Sequence, residues 1–235
     1  MPGPLKTMVV IGTRPEVVKL APVALELRRH PKQFRVTLVG TGQHRELVPQ
    51  HLRLFRLGLD ADLKVMKRRQ TLADVTARTV QRLEALLVAD PPEVVIVEGD
   101  TTAVLAAGLA AFYRKIPVAH VEAGLRSGDV YNPFTEEMNR RLVSGIASVN
   151  LAPTATAKAN LLRESVPRNC IFVTGNTTID ALLFAAKQRP QRPAIPASVL
   201  KNRRVILVTA HRRESWDAGI REICLALADI ADRFP

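Results

Sequence analysis

The chain has 235 residues, 47% of them hydrophobic, 24% charged and 4% aromatic, and its formal net charge is +12. That is apolar material for one full core and the beginning of a second, while its apolar runs, such as Val205 to Val208, stop far short of the roughly 20 residues a membrane span requires. A basic surplus can serve nucleic acid, an anionic membrane or an anionic small molecule; here the arginines stand singly or in pairs (Arg28-Arg29, Arg68-Arg69, Arg203-Arg204) with few aromatics between them, which argues for a solvated basic surface and against nucleic acid.

The segment Met1 to Thr7 lacks the pattern of a signal peptide. Cys170 and Cys224 show neither metal-type spacing nor a disulfide framework. A soluble cytoplasmic protein, without membrane or nucleic-acid partners, is expected.

In chain order, short β-branched runs alternate with longer helical periods. Met8 to Ile11 reads as a strand, then Gly12-Thr13-Arg14-Pro15 as a turn into a helix whose apolar positions include Val18, Leu20, Val23, Leu25 and Leu27. Pro15 suits a first helical turn, where its missing N–H costs nothing. Further strands are predicted over Arg35–Val39, Val94–Val97, Val118–Val121, Ser148–Leu151 and Ile171–Thr174. Helices are predicted over Glu46–Leu57, Thr71–Val88, Thr101–Tyr113, Thr135–Ile146, Thr154–Glu164 and Thr177–Ala186. Strand–helix repetition implies a doubly wound, parallel α/β sheet of Rossmann type, with ligands at the carboxyl ends of its strands.

Near Gln188 to Asn202 the composition shifts, with Pro190, Pro193 and Pro196 among basic residues. A strand Arg204–Thr209 and a helix Asp217–Arg233 are predicted after it, too little for an independent core. The expected organisation is an N-terminal domain over residues 1–175, then 176–235 as a linker helix and the incomplete start of a second Rossmann-like domain.

Four strand-end loops hold charge. Gly12-Thr13-Arg14-Pro15-Glu16, with Lys19 one turn on, is either an anion site at a helix N-terminus or a plain turn with surface charges. In Glu98-Gly99-Asp100-Thr101-Thr102, Asp100 either caps a helix or faces a ligand. The third loop, His120-Val121-Glu122-Ala123-Gly124-Leu125-Arg126, ends a strand on a carboxylate, and Glu136-Glu137 opens a helix soon after. His211-Arg212-Arg213-Glu214 follows the last predicted strand. No GxGxxG fingerprint, Ser–His–Asp set or metal-ligand cluster is present in the sequence. Spacing alone supports an α/β protein with an anion-attracting edge and carboxylates beside it.

Taken together, GTRPEVVKLAPV, TGQHRELV, GDTTAVLAAGLAAFYRKIPVAHVEAGLRSGD, PFTEEMNRRL, TGNTTIDALL and VTAHRRES, in that order from about Met8 to the last residue, resemble the non-hydrolysing UDP-N-acetylglucosamine 2-epimerases. The resemblance implies a glycosyltransferase-B-like pair of Rossmann-type domains with the active site between them. It also implies reversible C2 epimerisation of UDP-GlcNAc to UDP-ManNAc by anti elimination of UDP and re-addition through 2-acetamidoglucal, with no cofactor or metal, in a homodimer. Carried over by motif, Asp100, Glu122, Glu136 and His211 are the implied catalytic groups, and Arg14 and Lys19 the implied diphosphate ligands. Gln43, His44, Arg69, Gln70, Glu136 and Arg212 match a neighbouring activating site that binds UDP-GlcNAc in many bacterial members. The chain departs from the family pattern at Glu98, usually histidine, at Glu46, usually glutamine, and at Asn132 and Thr135, usually serine and proline. Family members run on for well over 100 further residues, so little or no epimerase activity is expected of these 235 alone.

Overall fold

The structure, a computed structural model, describes residues 3–42, 47–67, 69–188 and 218–234, with positions 195, 198, 201, 205, 206, 208 and 209 between them. It divides into two compact units, 1–188 and 189–235.

The first unit is built on seven strands: β1 (Leu5–Ile11), β2 (Phe34–Gly40), β3 (Ala61–Asp62), β4 (Val94–Glu98), β5 (Val118–Val121), β6 (Val149–Ala152) and β7 (Ile171–Val173). All pair in parallel, in the order β3-β2-β1-β4-β5-β6-β7. Seven helices join or follow them: α1 (Arg14–Arg28), α2 (Leu47–Leu54), α3 (Leu72–Ala89), α4 (Thr102–Tyr113), α5 (Glu136–Ile146), α6 (Ala155–Arg163) and α7 (Thr177–Lys187). The doubly wound α/β class implied by the sequence is the one observed. Strand order reverses between β1 and β4, and in such sheets the crevice outside the carboxyl ends of those two strands receives ligands.

Side chains alternate across β1 with the period of a strand. Met8 and Val10 pack with Val95, Val97, Leu83, Leu87 and Val104 on the α3–α4 face. Val9 and Ile11 pack with Ile96, Val121, Val17 and Leu20 on the α1 face. Both faces being covered explains why these strands read as continuous apolar runs. On the α1 side the rings of Phe55 and Phe184 stack at 5.0 Å. Thus α7 packs within the first unit, although the sequence grouped it with the segment after residue 175.

Helix ends follow side-chain and backbone chemistry. Thr71 and Asp74 form a reciprocal capping box at α3, while Thr101, Thr154 and Asn176 cap α4, α6 and α7. Helix α2 stops three residues before its predicted end because Arg56 takes a left-handed φ of 55°. The Leu57 amide then reaches back to the Leu52 carbonyl at 2.9 Å and the Arg56 amide to Arg53 at 3.0 Å. Strand β3 was not predicted; it is two residues long and exists by pairing with Val39 and Gly40 of β2.

In the second unit α8 (Ala218–Arg233) forms as predicted over its described residues. Val205, Ile206, Val208 and Thr209, the described part of the predicted strand Arg204–Thr209, lie in no strand. No helix among the described residues is long and apolar enough to cross a membrane.

Candidate active site

The carboxyl ends of β1, β4 and β5 bring together residues that are far apart in the chain. On α1, Glu16 and Lys19 stand three positions apart, so both project from one helical face, toward the ends of these strands. Lys19 Nζ lies 2.7 Å from Glu122 Oε1 and 3.0 Å from Glu98 Oε1. The first contact is a hydrogen bond; the second is an ion pair without hydrogen-bond alignment, since Glu98 Oε1 is buried with no hydrogen-bond partner.

Glu122, the residue after β5, has a left-handed φ of 62°, uncommon for a residue with a side chain. Its conformation is held by its own contacts. Arg140 on α5 donates Nη1 to the Glu122 carbonyl at 3.0 Å and stands 3.6 Å from Glu122 Oε1. Asn176 Nδ2 donates to Glu122 Oε2 at 3.2 Å. The other Arg140 nitrogen, Nη2, pairs with Asp100 Oδ2. One guanidinium therefore joins two of the implied carboxylates, and Asn139 Nδ2 fixes the Asp100 carbonyl at 2.9 Å. Of the two readings of the Asp100 loop, capping falls to Thr101, which accepts from the Val104 amide, and the Asp100 side chain is turned to Arg140.

Beneath this layer sit two buried groups. Glu16 accepts the Gly12 amide and the Thr13 and Thr101 hydroxyls, the latter two at 3.0 Å each. It thereby ties the β1–α1 turn to the start of α4. Burial pushes its carboxyl up to about 6 against those donors. His120 Nε2 donates to the Gly99 carbonyl at 2.8 Å, and its Nδ1 faces Ser144 Oγ at 3.5 Å. Burial pushes His120 down to about 4, so it is a neutral strut under the Glu98–Asp100 turn.

Burial also dominates at Glu98 and, with the charge of Glu122, pushes its carboxyl up to about 8 against the pull of Lys19. Burial opposes the charge on Lys19, but the carboxylates of Glu98 and Glu122 raise its pKa above the ordinary lysine value. Beside Arg140, a cavity of about 200 Å³ is lined by Asp100, Leu125, Arg126, Ser127, Pro133 and Glu136, among others. Glu136 Oε2 is buried with no hydrogen-bond partner among the described residues. Burial opposes ionisation of the next residue, Glu137, but the Ser127 amide and the Arg141 guanidinium hold it below the ordinary range.

Of the residues singled out in the sequence, Asp100 and Glu122 therefore meet through Arg140, Lys19 joins them through Glu122, and Glu136 opens the neighbouring helix. Arg14 is exposed at the N-terminus of α1. Arg69 is exposed with a φ of 53°. Gln70 is committed to the turn before α3, accepting from the Lys67 amide at 2.9 Å and from Arg78 at 3.1 Å. Gln43, His44, His211 and Arg212 lie outside the described residues. Sequence reasoning missed Arg140, Asn139 and Asn176 as parts of this cluster. The available signal was helical spacing, since Arg140 stands one turn beyond Glu136 on the same face.

The family model for UDP-N-acetylglucosamine 2-epimerase matches residues 25–235. A UDP-N-acetylglucosamine 2-epimerase of Yersinia pestis is 45% identical over 98% of this chain and 63% of its own length. A crystal structure described as a putative UDP-N-acetylglucosamine 2-epimerase from Listeria monocytogenes superposes with a TM-score of 0.89 at 42% identity, over 98% of this chain and 60% of that one. The Neisseria meningitidis UDP-GlcNAc 2-epimerase bound to UDP-GlcNAc gives a TM-score of 0.73 at 48% identity over 76% of this chain and 49% of that one. The chain thus spans about three-fifths of the relatives it matches most fully. Across that span the sequence and the fold agree, and the chain belongs to the UDP-N-acetylglucosamine 2-epimerase family.

Proposed function

We propose that this chain carries the proton-transfer half of an enzyme that reversibly epimerises UDP-GlcNAc and UDP-ManNAc at C2, and that the 235 residues alone do not turn over. The observation that carries the reading is the pairing of Asp100 and Glu122 on the Arg140 guanidinium, at the strand ends where this fold receives ligands. The C2 proton is poorly acidic, so its removal needs a positioned base, and its return to the opposite face needs a second positioned acid. Asp100, Glu122 and Glu136 are the carboxyl groups for those roles, with His211 a further polar contact or proton carrier. Proton loss from C2 with anti departure of UDP gives 2-acetamidoglucal; UDP re-adds at C1 as C2 is reprotonated from the other face.

Departure of UDP places charge on its diphosphate. Arg14, exposed at a helix N-terminus, offers that charge a guanidinium and the positive end of the helix dipole. Lys19 has three N–H donors, and among the described residues it hydrogen-bonds only to Glu122, which leaves donors for an anion. The activating-site role of Gln43, His44, Arg69, Gln70 and Arg212 belongs to the same proposal, as do a glycosyltransferase-B-like second domain, a homodimer and a cytoplasmic location.

The test is NMR of the folded chain with UDP-GlcNAc in deuterium oxide, alone and fused to the C-terminal remainder of the Yersinia pestis relative. Deuterium at C2 together with new UDP-ManNAc from the fusion, and neither from the chain alone, is the expected result. Net release of UDP and free sugar would instead assign a hydrolysing epimerase, and absence of C2 exchange in a folded fusion would sink the epimerase reading.

A further inference from the structure

The reading above gives Glu98 no task, yet its side chain is 2% exposed at the end of β4, in contact with the only cation that also touches Glu122 Oε1 within 3 Å among the described residues. The charged and titratable groups around it come from four elements. Glu16 and Lys19 face it from α1, Glu122 and neutral His120 from β5 and its end, Arg140 from α5, and Asp100 from the loop before α4. Lys19 and Arg140 supply two positive charges; Asp100 and Glu122 use both. Glu16 has hydrogen-bond donors of its own and no cation. A charged Glu98 would be one buried negative charge in excess, and such a group ordinarily takes up a proton.

We propose that Glu98 is a positioning residue that stores a proton in the resting site and exchanges it with Glu122 through the Lys19 ammonium. Both contacts are short: Lys19 Nζ to Glu122 Oε1 is a hydrogen bond of 2.7 Å, and Glu98 Oε1 to Lys19 Nζ is an ion-pair contact of 3.0 Å that a rotation of the ammonium or carboxyl brings into hydrogen-bond alignment. In the exchange an N–H bond of Lys19 breaks as its proton forms an O–H bond on Glu122. The O–H bond of Glu98 breaks as its proton restores the ammonium. The site begins with Glu98 protonated and Glu122 ionised and ends with the two reversed, at constant total charge. The upward displacement of Glu98 and of Lys19 agrees with both carrying protons at neutral pH.

The use of this exchange in catalysis rests on the proposed epimerisation. Removing a proton on one face of C2 and delivering one on the other leaves two acid–base groups in swapped states, and a third carboxyl in proton contact with one of them offers a route to reset it. The storage itself needs no turnover, and so is tested without it.

The experiment is a pH titration of the chain labelled with glutamate carrying carbon-13 at the carboxyl, followed by NMR from pH 4 to 10 in the absence of substrate. The Glu98 resonance, assigned through bonds in the unsubstituted chain and by its loss in Glu98→Gln, is expected to titrate near pH 8, apart from every other carboxyl. Glu122→Gln is expected to shift its midpoint downward by removing a like charge and freeing Lys19, and Lys19→Met to shift it upward. A Glu98 that stores no proton at neutral pH would show no transition near pH 8. A Glu98 midpoint below pH 5, or one unmoved by Glu122→Gln and Lys19→Met, would overturn the proposal. Either outcome leaves the epimerase reading to its own assay.

Discussion

Asn176 holds Glu122 with one end of its amide while starting a helix with the other. Its Nδ2 donates to Glu122 Oε2 at 3.2 Å and its Oδ1 accepts the Thr178 amide at 2.9 Å. Loss of the cap costs about 1 kcal/mol, and loss of a donor to a buried carboxylate roughly a further 1–3 kcal/mol. Asn176→Ala is therefore expected to be less stable than Asn176→Ser, whose hydroxyl retains an oxygen for the cap. Urea unfolding of the two variants isolates the cap, since both lose the amide donated to Glu122; equal midpoints would show that the cap carries nothing.

Lys19→Met is expected to destabilise the fold despite its good fit in a helix. The lysine is 23% exposed and its two carboxylates are 2% and 7% exposed, so removing it strands buried negative charge. Breaking such a pair from one side costs roughly 3–5 kcal/mol, the lower end applying to a partly solvated cation. Lys19→Met combined with Glu122→Gln removes the charge that the lysine balanced and is expected to recover part of the loss. Non-recovery in denaturant melts would show that the loss comes from packing.

The pH profile of stability should carry the signature of Glu98. Its folded pKa, about 8, lies above the ordinary 4.5, so the native state binds the proton more tightly than the unfolded chain does. The stability from this group is then fully present below about pH 4.5 and is lost as pH rises toward 8. Glu98→Gln should flatten that decline, gaining on the unsubstituted chain between those limits. Parallel profiles in urea melts would contradict it.

His120 acts with the opposite sign. Its pKa is depressed to about 4 from 6.5, so its contribution is present above pH 6.5 and is lost as pH falls toward 4. His120→Gln, which keeps a donor for the Gly99 carbonyl, is expected to lower stability at pH 7 while reducing the acid sensitivity. An unchanged acid limb would place the acid transition elsewhere.

Much of this was legible because short-range signals agreed with long-range ones. Val9 and Ile11 alternate with Met8 and Val10 in the sequence, and each pair faces its own helical layer. Pro15 opens α1 where its ring suits the first turn. What escaped was chemistry without a local mark. Arg56, Lys115 and Ser165 end helices with φ of 55°, 57° and 65°, where glycine is the usual signal. Arg140 lies inside the PFTEEMNRRL segment with no mark of its own; only the packing of α5 brings it to Asp100 and Glu122. Motif spacing placed Asp100 and Glu122 at strand ends, but could not reveal that Lys19 is shared between Glu98 and Glu122.

Two glycines beside the site separate backbone strain from steric contact. Gly99 has a φ of 79° and open space where a Cβ would stand, whereas Gly124, with a φ of 86°, would place a Cβ 2.3 Å from the Ala157 carbonyl oxygen and 2.9 Å from Leu161 Cγ. Gly99→Ala is expected to cost about 1–2 kcal/mol, the price of the left-handed conformation alone. Gly124→Ala adds an overlap with main chain on α6, which cannot rotate away, and must displace the helix or the loop that follows Glu122. It is expected to fall among the most damaging single substitutions, above about 4 kcal/mol, and to disturb the Asn160 side chain, which donates to the Gly124 carbonyl at 2.8 Å. Thermal melts of the two variants provide the comparison. Equal losses would mean that α6 gives way easily, and that the approach of Gly124 to it is not what fixes the position of the Glu122 loop.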